Sequence, residues 1–119
     1  MQAIVHAYWK AIHELRFEAL RELFNATAVI TWPNTEEVFT LDEFIYVNRA
    51  YPGEWDEEVL QVYETGTTLI SEAMVTGKER SFLAISIFTI QDGKITSLRE
   101  YWTAVEEAPK WRKQLLKKL

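Results

Sequence analysis

The spacing of apolar positions changes twice along the chain, and each change predicts a new kind of element. Apolar side chains recur at helical spacing over Ala3–Ile12 and again over Phe17–Phe24, so we expect two helices with a bend between them. Thr27–Trp32 then alternates with a period of two, which is typical of a half-buried strand. After a turn at residues 33–35, Glu36–Thr40 is expected to return as a short strand.

A third helix is predicted from its start signal. Thr40 and Glu43 have the spacing of a capping box, in which each side chain satisfies a free backbone amide at a helix start. The helix is expected to end near Ala50, because Tyr51-Pro52-Gly53 cannot continue it. Beyond Trp55 the pattern predicts strands.

Four long strands follow. Val59–Glu64 and Leu69–Thr76 are bounded by glycine-containing turns, and Ser81–Thr103 predicts a hairpin that turns at Asp92-Gly93. Both faces of this hairpin are largely apolar, which predicts a central position in the sheet. A last short helix is expected to begin at Pro109.

A two-residue turn at Asp92-Gly93 fixes the predicted pairing of the hairpin. Ser86 then faces Arg99, Phe88 faces Ser97, and Glu100 falls on the opposite face. A single β-bulge would exchange the two faces.

Helices collected at one end of the chain and strands after them predict an α+β fold. We expect a curved antiparallel, or mixed, sheet wrapped around three N-terminal helices, with a cavity between the layers. No linker or repeat interrupts residues 1–119, so a single domain is predicted.

Composition and charge narrow the classes of function. The chain lacks cysteine and has no apolar run long enough to span a membrane, so a cytoplasmic protein is expected. Residues 1–108 hold all 18 acidic residues and 8 of the 13 Lys and Arg, a formal charge of −10, whereas residues 109–119 carry +5. The acidic body argues against nucleic acid as a partner. The basic end could contact an anionic surface, but lysines near a helix C-terminus also suit the helix dipole, so no membrane partner is expected.

Few residues could perform chemistry. His6 and His13 lie two helical turns apart and could bind a metal only with outside carboxylates, so no metal or cofactor is expected. Glu100 lies between apolar neighbours, where its charged form is disfavoured, which suits a general acid or base. The alternative is an ion pair with Arg99, Arg80 or a lysine, or exposure at a curved edge of the sheet.

Aromatic residues are the strongest indication of function. Five Trp and five Tyr exceed what a core of this size needs, and such side chains suit a pocket for a small apolar or aromatic molecule. They could equally fill a core or a dimer interface. The predicted pocket is lined by Trp9, Phe44, Asn48, Tyr51, Trp55, Ser86, Phe88, Glu100, Tyr101 and Trp102.

Several motifs resemble those of a known family. The closing segments Asp92-Gly93-Lys94-Ile95 and Arg99-Glu100-Tyr101-Trp102, with the helix–helix–strand opening, resemble the nuclear transport factor 2-like superfamily and its SnoaL-like, polyketide cyclase-like branch. Trp32-Pro33-Asn34-Thr35 and Tyr51-Pro52-Gly53-Glu54-Trp55 resemble a small bacterial subgroup.

The resemblance implies a conical, cystatin-like α+β barrel, a homodimer formed through the sheet, and a cavity between sheet and helices. Members of the superfamily include ketosteroid isomerases, polyketide cyclases, epoxide hydrolases, dehydratases and pure binding or scaffold domains, so the fold does not fix the function. At three positions that are catalytic in relatives, this sequence has a different residue. An Asp that often follows the Tyr-Trp pair is Thr103, a His is replaced by Leu83, and an oxyanion-binding carboxylic acid falls near Ser86.

The sequence therefore predicts a domain that binds a small apolar or aromatic molecule and forms a homodimer. One alternative is an isomerase-, cyclase- or hydrolase-type enzyme that uses Glu100 as acid or base, with Tyr101 or Asn48 donating to a developing oxyanion. The other is a protein-interaction scaffold whose cavity is filled by its own side chains.

Overall fold

The computed structural model describes all residues, 1–119, and shows an α+β fold with one six-stranded mixed sheet. Three α-helices, two 3-10 helices and six strands follow one another along the chain. The helices are α1 (Gln2–His13), α2 (Leu41–Ala50) and α3 (Lys110–Lys117), the 3-10 helices are Phe17–Glu22 and Pro33–Thr35, and the strands are β1 (Phe24–Trp32), β2 (Glu37–Phe39), β3 (Asp56–Thr65), β4 (Thr68–Thr76), β5 (Ser81–Gln91) and β6 (Lys94–Ala104).

The second predicted helix is shorter than expected. α1 ends where Leu15 takes a left-handed conformation, with φ of 59°, and Arg16 donates its backbone N–H to Ala11. Only the 3-10 helix Phe17–Glu22 fits between this turn and β1. Phe24, the last residue of the predicted helix, is instead the first residue of β1. The capping box of α2 is confirmed, with Thr40 and Glu43 each accepting from the other's backbone N–H, at 3.2 and 2.8 Å.

The sheet is open. Its strand order is β2-β1-β6-β5-β4-β3, in which β1 and β6 are parallel and all other neighbours are antiparallel. β2 pairs through only three residues, and β3 pairs only with β4, so these two strands leave free edges. The sheet therefore does not close into the predicted barrel.

A bulge changes the predicted register of the central hairpin. The turn lies at Asp92-Gly93 as expected and Ile90 faces Ile95, but Thr89 then faces Ser97, so Thr96 is an extra residue in β6. Every later residue of β6 is shifted by one position, which moves it to the other face of the sheet. Glu100 thus faces Ser86 on the inner face, whereas the sequence predicts Arg99 there.

The core lies between the inner face of the sheet and α1 with α2. α1 buries Val5, Tyr8, Trp9 and Ala11, and α2 buries Phe44 with its neighbour Ile45. These side chains form one continuous cluster with the inner residues of the sheet. The two helices thus cover the inner face, and the site described below lies under them.

The C-terminal helix is set apart from this core. No residue of α3 is buried, and Trp111, Leu115 and Leu116 are all mostly exposed. None of the helices combines the length and apolar character that crossing a bilayer requires.

Candidate functional site

A row of polar side chains crosses the inner face of the sheet. Ser71 of β4 pairs with Ser86 of β5, which pairs with Glu100 of β6, and Trp32 follows the β1 residue paired with Arg99. Paired residues of neighbouring strands point to the same face of a sheet, so Ser71, Ser86 and Glu100 lie side by side. Trp32 lies one residue beyond the partner of Arg99 and is therefore level with Glu100. Ser71, Ser86 and Glu100 are fully buried and are the only buried polar or charged residues of the chain.

Three neutral donors hold the Glu100 carboxyl. Its Oε2 accepts from the Tyr8 hydroxyl at 2.8 Å and from Ser86 Oγ at 2.7 Å, and its Oε1 accepts from Trp32 Nε1 at 3.1 Å. The charged form of a buried carboxyl is normally stabilised by a basic partner. None is present here, because no salt bridge of the protein involves Glu100.

The basic residues expected near Glu100 lie elsewhere. Arg99 is exposed on the outer face, where its guanidinium carbon is 6.0 Å from the centre of the Tyr101 ring. Arg80 is likewise exposed and lies over Phe82, at 5.0 Å. The alternative in which Arg99 or Arg80 forms an ion pair with Glu100 is therefore wrong. The extra residue at Thr96 places Glu100 on the inner face and Arg99 on the outer face.

Burial sets the protonation of this group. Removal from water raises the pKa of Glu100 above its usual value, although hydrogen bonds from Ser86, Tyr8 and Trp32 act in the opposite direction. Burial also raises the pKa of Tyr8 well above its usual value, and the neighbouring Glu100 adds to this effect. Tyr8 thus remains a neutral donor, whereas Glu100 is shifted toward its neutral form.

α1 contributes two consecutive donors to the row. Tyr8 reaches Glu100, and Trp9 donates its Nε1 to Ser71 Oγ at 3.0 Å. The Tyr8 ring packs between Phe44 and Phe88, with ring centres 6.5 and 5.2 Å away. Packing on both sides leaves the Tyr8 hydroxyl little freedom to turn away from the carboxyl.

An aromatic group, defined here as Tyr51, Trp55, Phe82 and Trp102, lies toward the end of the sheet beyond the polar row. The ring centres of successive members are 6.2, 5.9 and 6.5 Å apart, and Trp102 lies 6.1 Å from Trp32. The group therefore forms a continuous path from exposed Tyr51 to the donor Trp32.

Two features of the aromatic group concern its indoles. The Trp102 Nε1 atom is buried and has no hydrogen-bond partner, although an unpaired buried donor is costly. The Trp55 ring covers Gly77 so closely that a Cβ there would lie 2.5 Å from Cζ3. The Trp102 indole thus lacks a hydrogen-bond partner, and the Trp55 ring packs so closely on position 77 that only glycine fits there.

The predicted pocket residues fall into three groups. Trp9, Phe44, Ser86, Phe88 and Glu100 are buried together under α1 and α2. Trp55, Trp102 and Asn48 are half-buried and Tyr51 is exposed, so these four lie nearer the surface. Tyr101 follows Glu100 directly and is exposed on the opposite face of the sheet.

The donor roles predicted for Tyr101 and Asn48 do not fit these positions. Tyr101 cannot reach Glu100 through the sheet, and Asn48 Nδ2 donates to the Phe44 carbonyl in its own helix, at 2.8 Å. Four residues of the site were not predicted from the sequence, namely Tyr8, Trp32, Ser71 and Phe82. Helical spacing places Tyr8 on the inner side of α1, but its partner follows only from the register of β6.

Two surface concavities of the protein lie away from this site. Two concavities of about 600 and 320 Å³ lie on the surface, and neither includes any of the ten predicted pocket residues. The first is lined by residues 15–19 with Glu22 and Arg49, and the second by Gln2 and His6 with residues 59–62. Their positions do not coincide with the Glu100 row.

The two histidines do not form a metal site. His13 Nδ1 lies 3.1 Å from Glu57 and 3.5 Å from Asp56, at the exposed end of α1. No group of three or more potential metal ligands is found in the chain.

Comparison with known proteins agrees with this architecture. Residues 5–98 match the family described as SnoaL-like domain. A search of curated proteins finds no match to the sequence.

Three solved structures illustrate the likeness of the fold. They are a candidate ketosteroid isomerase from Kribbella flavida (20% identity, 95% of this chain and 84% of that chain, TM-score 0.84), an NTF2-like protein of unknown function from Burkholderia xenovorans (23%, 95% and 90%, 0.83) and a candidate polyketide cyclase from Streptomyces antibioticus (16%, 85% and 90%, 0.77). The TM-scores establish a shared fold, whereas identities this low leave the activity open.

We predict that Glu100 makes stability fall as the pH rises. The folded state raises the pKa of Glu100, so it holds a proton that the unfolded chain has already released. This contribution is complete below the unfolded pKa and is lost as the pH rises through the folded pKa. Urea unfolding between about pH 4 and pH 8 should therefore show wild type losing stability relative to Glu100→Gln.

The Glu100→Gln reference cancels the titration of all groups common to both proteins. A difference that stays constant with pH would mean that the hydrogen bonds balance the effect of burial on the pKa of Glu100. A difference that grows in favour of wild type would mean that the hydrogen bonds outweigh burial and that Glu100 prefers its charged form.

Proposed function

Since this chain belongs to the SnoaL-like domain family, we propose that it binds a small, mostly apolar or aromatic molecule on the inner face of the sheet. The ligand would contact the aromatic group and approach the Glu100 carboxyl. The observation that carries this proposal is the fully buried carboxyl without a basic partner.

A purely structural role explains such a carboxyl poorly. Leucine or methionine at position 100 would fill similar space without the cost of removing a carboxyl from water. Four elements nevertheless supply polar groups to the row, namely α1, β1, β4 and β5. Buried groups with a shifted pKa and a preorganised set of donors are typical of functional sites.

The unpaired indole of Trp102 indicates the chemistry of the ligand. Its Nε1 can only donate, and it lies two residues from Glu100 on the same face of β6. A ligand carrying a carbonyl or another acceptor would satisfy it, while the surrounding rings would contact the apolar part. We therefore favour an apolar molecule with one hydrogen-bond acceptor.

Entry requires movement of the aromatic group, because Trp55 and Trp102 pack against the continuous buried cluster of the core. Tyr51 and Trp55 lie in and beside the loop that joins α2 to β3, and Trp55 Nε1 donates to the Pro52 carbonyl within the same segment at 2.9 Å. This segment can move without disrupting the pairing of the sheet. A continuously packed core is also compatible with the scaffold alternative, so binding must be measured.

We predict that 1-tetralone, a bicyclic aromatic ketone, binds and quenches tryptophan fluorescence. Trp102→Phe keeps an aromatic ring but removes the N–H donor, so the affinity should fall about tenfold. Trp111→Phe is the matched control, because Trp111 is exposed on α3, and it should leave the affinity unchanged. Titration by fluorescence gives both dissociation constants.

Equal affinities for wild type and Trp102→Phe would remove the role given to the indole. No binding of 1-tetralone or of related ketones to the wild-type protein would favour the scaffold alternative.

A second candidate function is proton transfer by Glu100. The raised pKa of a carboxyl in a buried site suits a group that takes and returns a proton. In this reaction the carboxylate removes a proton from the carbon next to a ketone, and the resulting enolate oxygen accepts a hydrogen bond from Trp102. The proton then returns from Glu100 to the same or a neighbouring carbon.

We predict that the protein accelerates exchange of hydrogen for deuterium at the α-carbon of 1-tetralone in D₂O. Glu100→Gln should lower the rate at least about 100-fold while leaving ligand affinity nearly unchanged, because it removes the base and keeps the shape. Glu72→Gln, which changes an acid on the outer face, serves as control. Mass spectrometry measures the exchange, and a rate that survives Glu100→Gln would exclude this assignment.

We also propose that two copies associate through the outer face of the sheet. Ile70, Ile85, Ile87 and Leu83 form a half-buried apolar patch there, beside exposed Tyr101. A patch of this kind on a sheet face favours association with an equal patch on a second copy.

We predict a dimer for wild type and weaker self-association for Ile87→Arg in sedimentation velocity experiments, because a charge at the patch centre would have to be buried unpaired. Val38→Arg changes an exposed residue of the edge strand β2 and should remain dimeric. A wild-type monomer at high protein concentration would contradict the proposal.

A further inference from the structure

The C-terminal arm, defined here as residues 105–119, exposes an apolar stripe. Trp111 and Leu115 lie one helical turn apart on α3 and are 61% and 57% exposed, and Leu116 and Leu119 extend the stripe. Large apolar side chains grouped on a free helix are costly to leave in water. We therefore expect the apolar stripe to be buried against another surface.

The charge of the arm defines what kind of surface can cover it. Lys110, Arg112, Lys113, Lys117 and Lys118 make α3 and its end uniformly positive, and no acidic residue follows Glu107. Only Lys113 forms an ion pair, with Glu107 at 3.6 Å within the arm. A complementary surface must combine exposed apolar groups with acidic side chains.

The edge strand β3 has this combination. Residues 54–64 contain five acidic residues and no basic residue, and all of these acids except Glu57 are exposed. Leu60 and Tyr63 lie among them, each 48% exposed. β3 pairs with β4 only, so its other side is free.

We propose that the arm of one copy docks along β3 of a second copy, so that the two copies exchange arms. The stripe of Trp111 and Leu115 would cover Leu60 and Tyr63, while the lysines face Glu58 and Glu64. The chain is elongated, 54 Å against 34 and 25 Å, and no residue of α3 is buried, so the stripe is not covered by the core of its own chain. When both copies exchange arms about one two-fold axis, both apolar stripes are covered and both acidic edges are paired with lysines.

Charge complementarity favours a second copy over an anionic membrane. Residues 1–104, which would accompany the arm to a membrane, hold 16 acidic and 8 basic residues, a formal charge of −8, which such a surface repels. The same charge attracts the arm of another copy. The contact lies at the margin of the sheet and leaves the central apolar patch of the outer face free.

The absence of cysteine permits a direct test by disulfide formation between two copies. Leu60→Cys carrying an affinity tag is mixed with untagged Leu115→Cys and oxidised, and the mixed disulfide is quantified by mass spectrometry. Val38→Cys replaces Leu60→Cys as the matched control, because Val38 is exposed on the opposite edge strand. We expect at least about fivefold more mixed disulfide with Leu60→Cys, since docking raises the local concentration.

Charge reversal separates docking from chance collision. Lys113→Glu with Lys117→Glu should reduce the yield to that of the Val38→Cys control, and Glu58→Lys with Glu64→Lys on the tagged partner should restore it. Equal yields at positions 60 and 38 would overturn the proposal. So would a Leu60→Cys/Leu115→Cys double variant that forms only a disulfide within one chain, or an arm that binds phosphatidylserine vesicles without any preference for position 60.

Discussion

The inner face of this protein is organised by the burial of one carboxyl group. Glu100 has no basic partner, and its three donors come from α1, β1 and β5. Because a buried acceptor without donors is costly, each of these elements must hold its position relative to β6. The carboxyl therefore links the packing of helix and sheet to the electrostatics of the site.

The same group connects stability with function. Removal from water favours the neutral form, whereas the three hydrogen bonds favour the charged form, and burial is the larger effect on the pKa. A bound ligand would change both burial and hydrogen bonding of Glu100, because it would add its own contacts to those that already surround the carboxyl. A group balanced in this way can respond to a ligand with a change of protonation.

Much of the architecture could be predicted because its signals are local. The capping box of α2, the turn at Asp92-Gly93 and the order of elements all depend on neighbouring residues. The α+β class follows from that order, and so does the pairing of consecutive strands. Closure of the sheet depends on long-range pairing of its edges, and this part of the prediction was wrong.

The site could be predicted only in part, for a physical reason. Glu100 was identified because its neighbours are apolar, and Ser86 and Phe88 were placed on the inner face. The hydrogen bonds of Glu100 with Ser86, Tyr8 and Trp32 were not predicted, because one extra residue at Thr96 decides which face Glu100 occupies, and no feature of the sequence marks that residue. Tyr101 entered the predicted pocket through the same ambiguity.

The two consecutive donors of α1 have a mechanical consequence. Tyr8 and Trp9 point about 100° apart on the helix and reach acceptors on β6 and β4, with β5 between them. Rolling the helix toward either strand would stretch one of these bonds, and sliding it would stretch both. α1 is thus held at two points, so the movement that would admit the proposed ligand falls to the segment between α2 and β3, which makes no strand pairing.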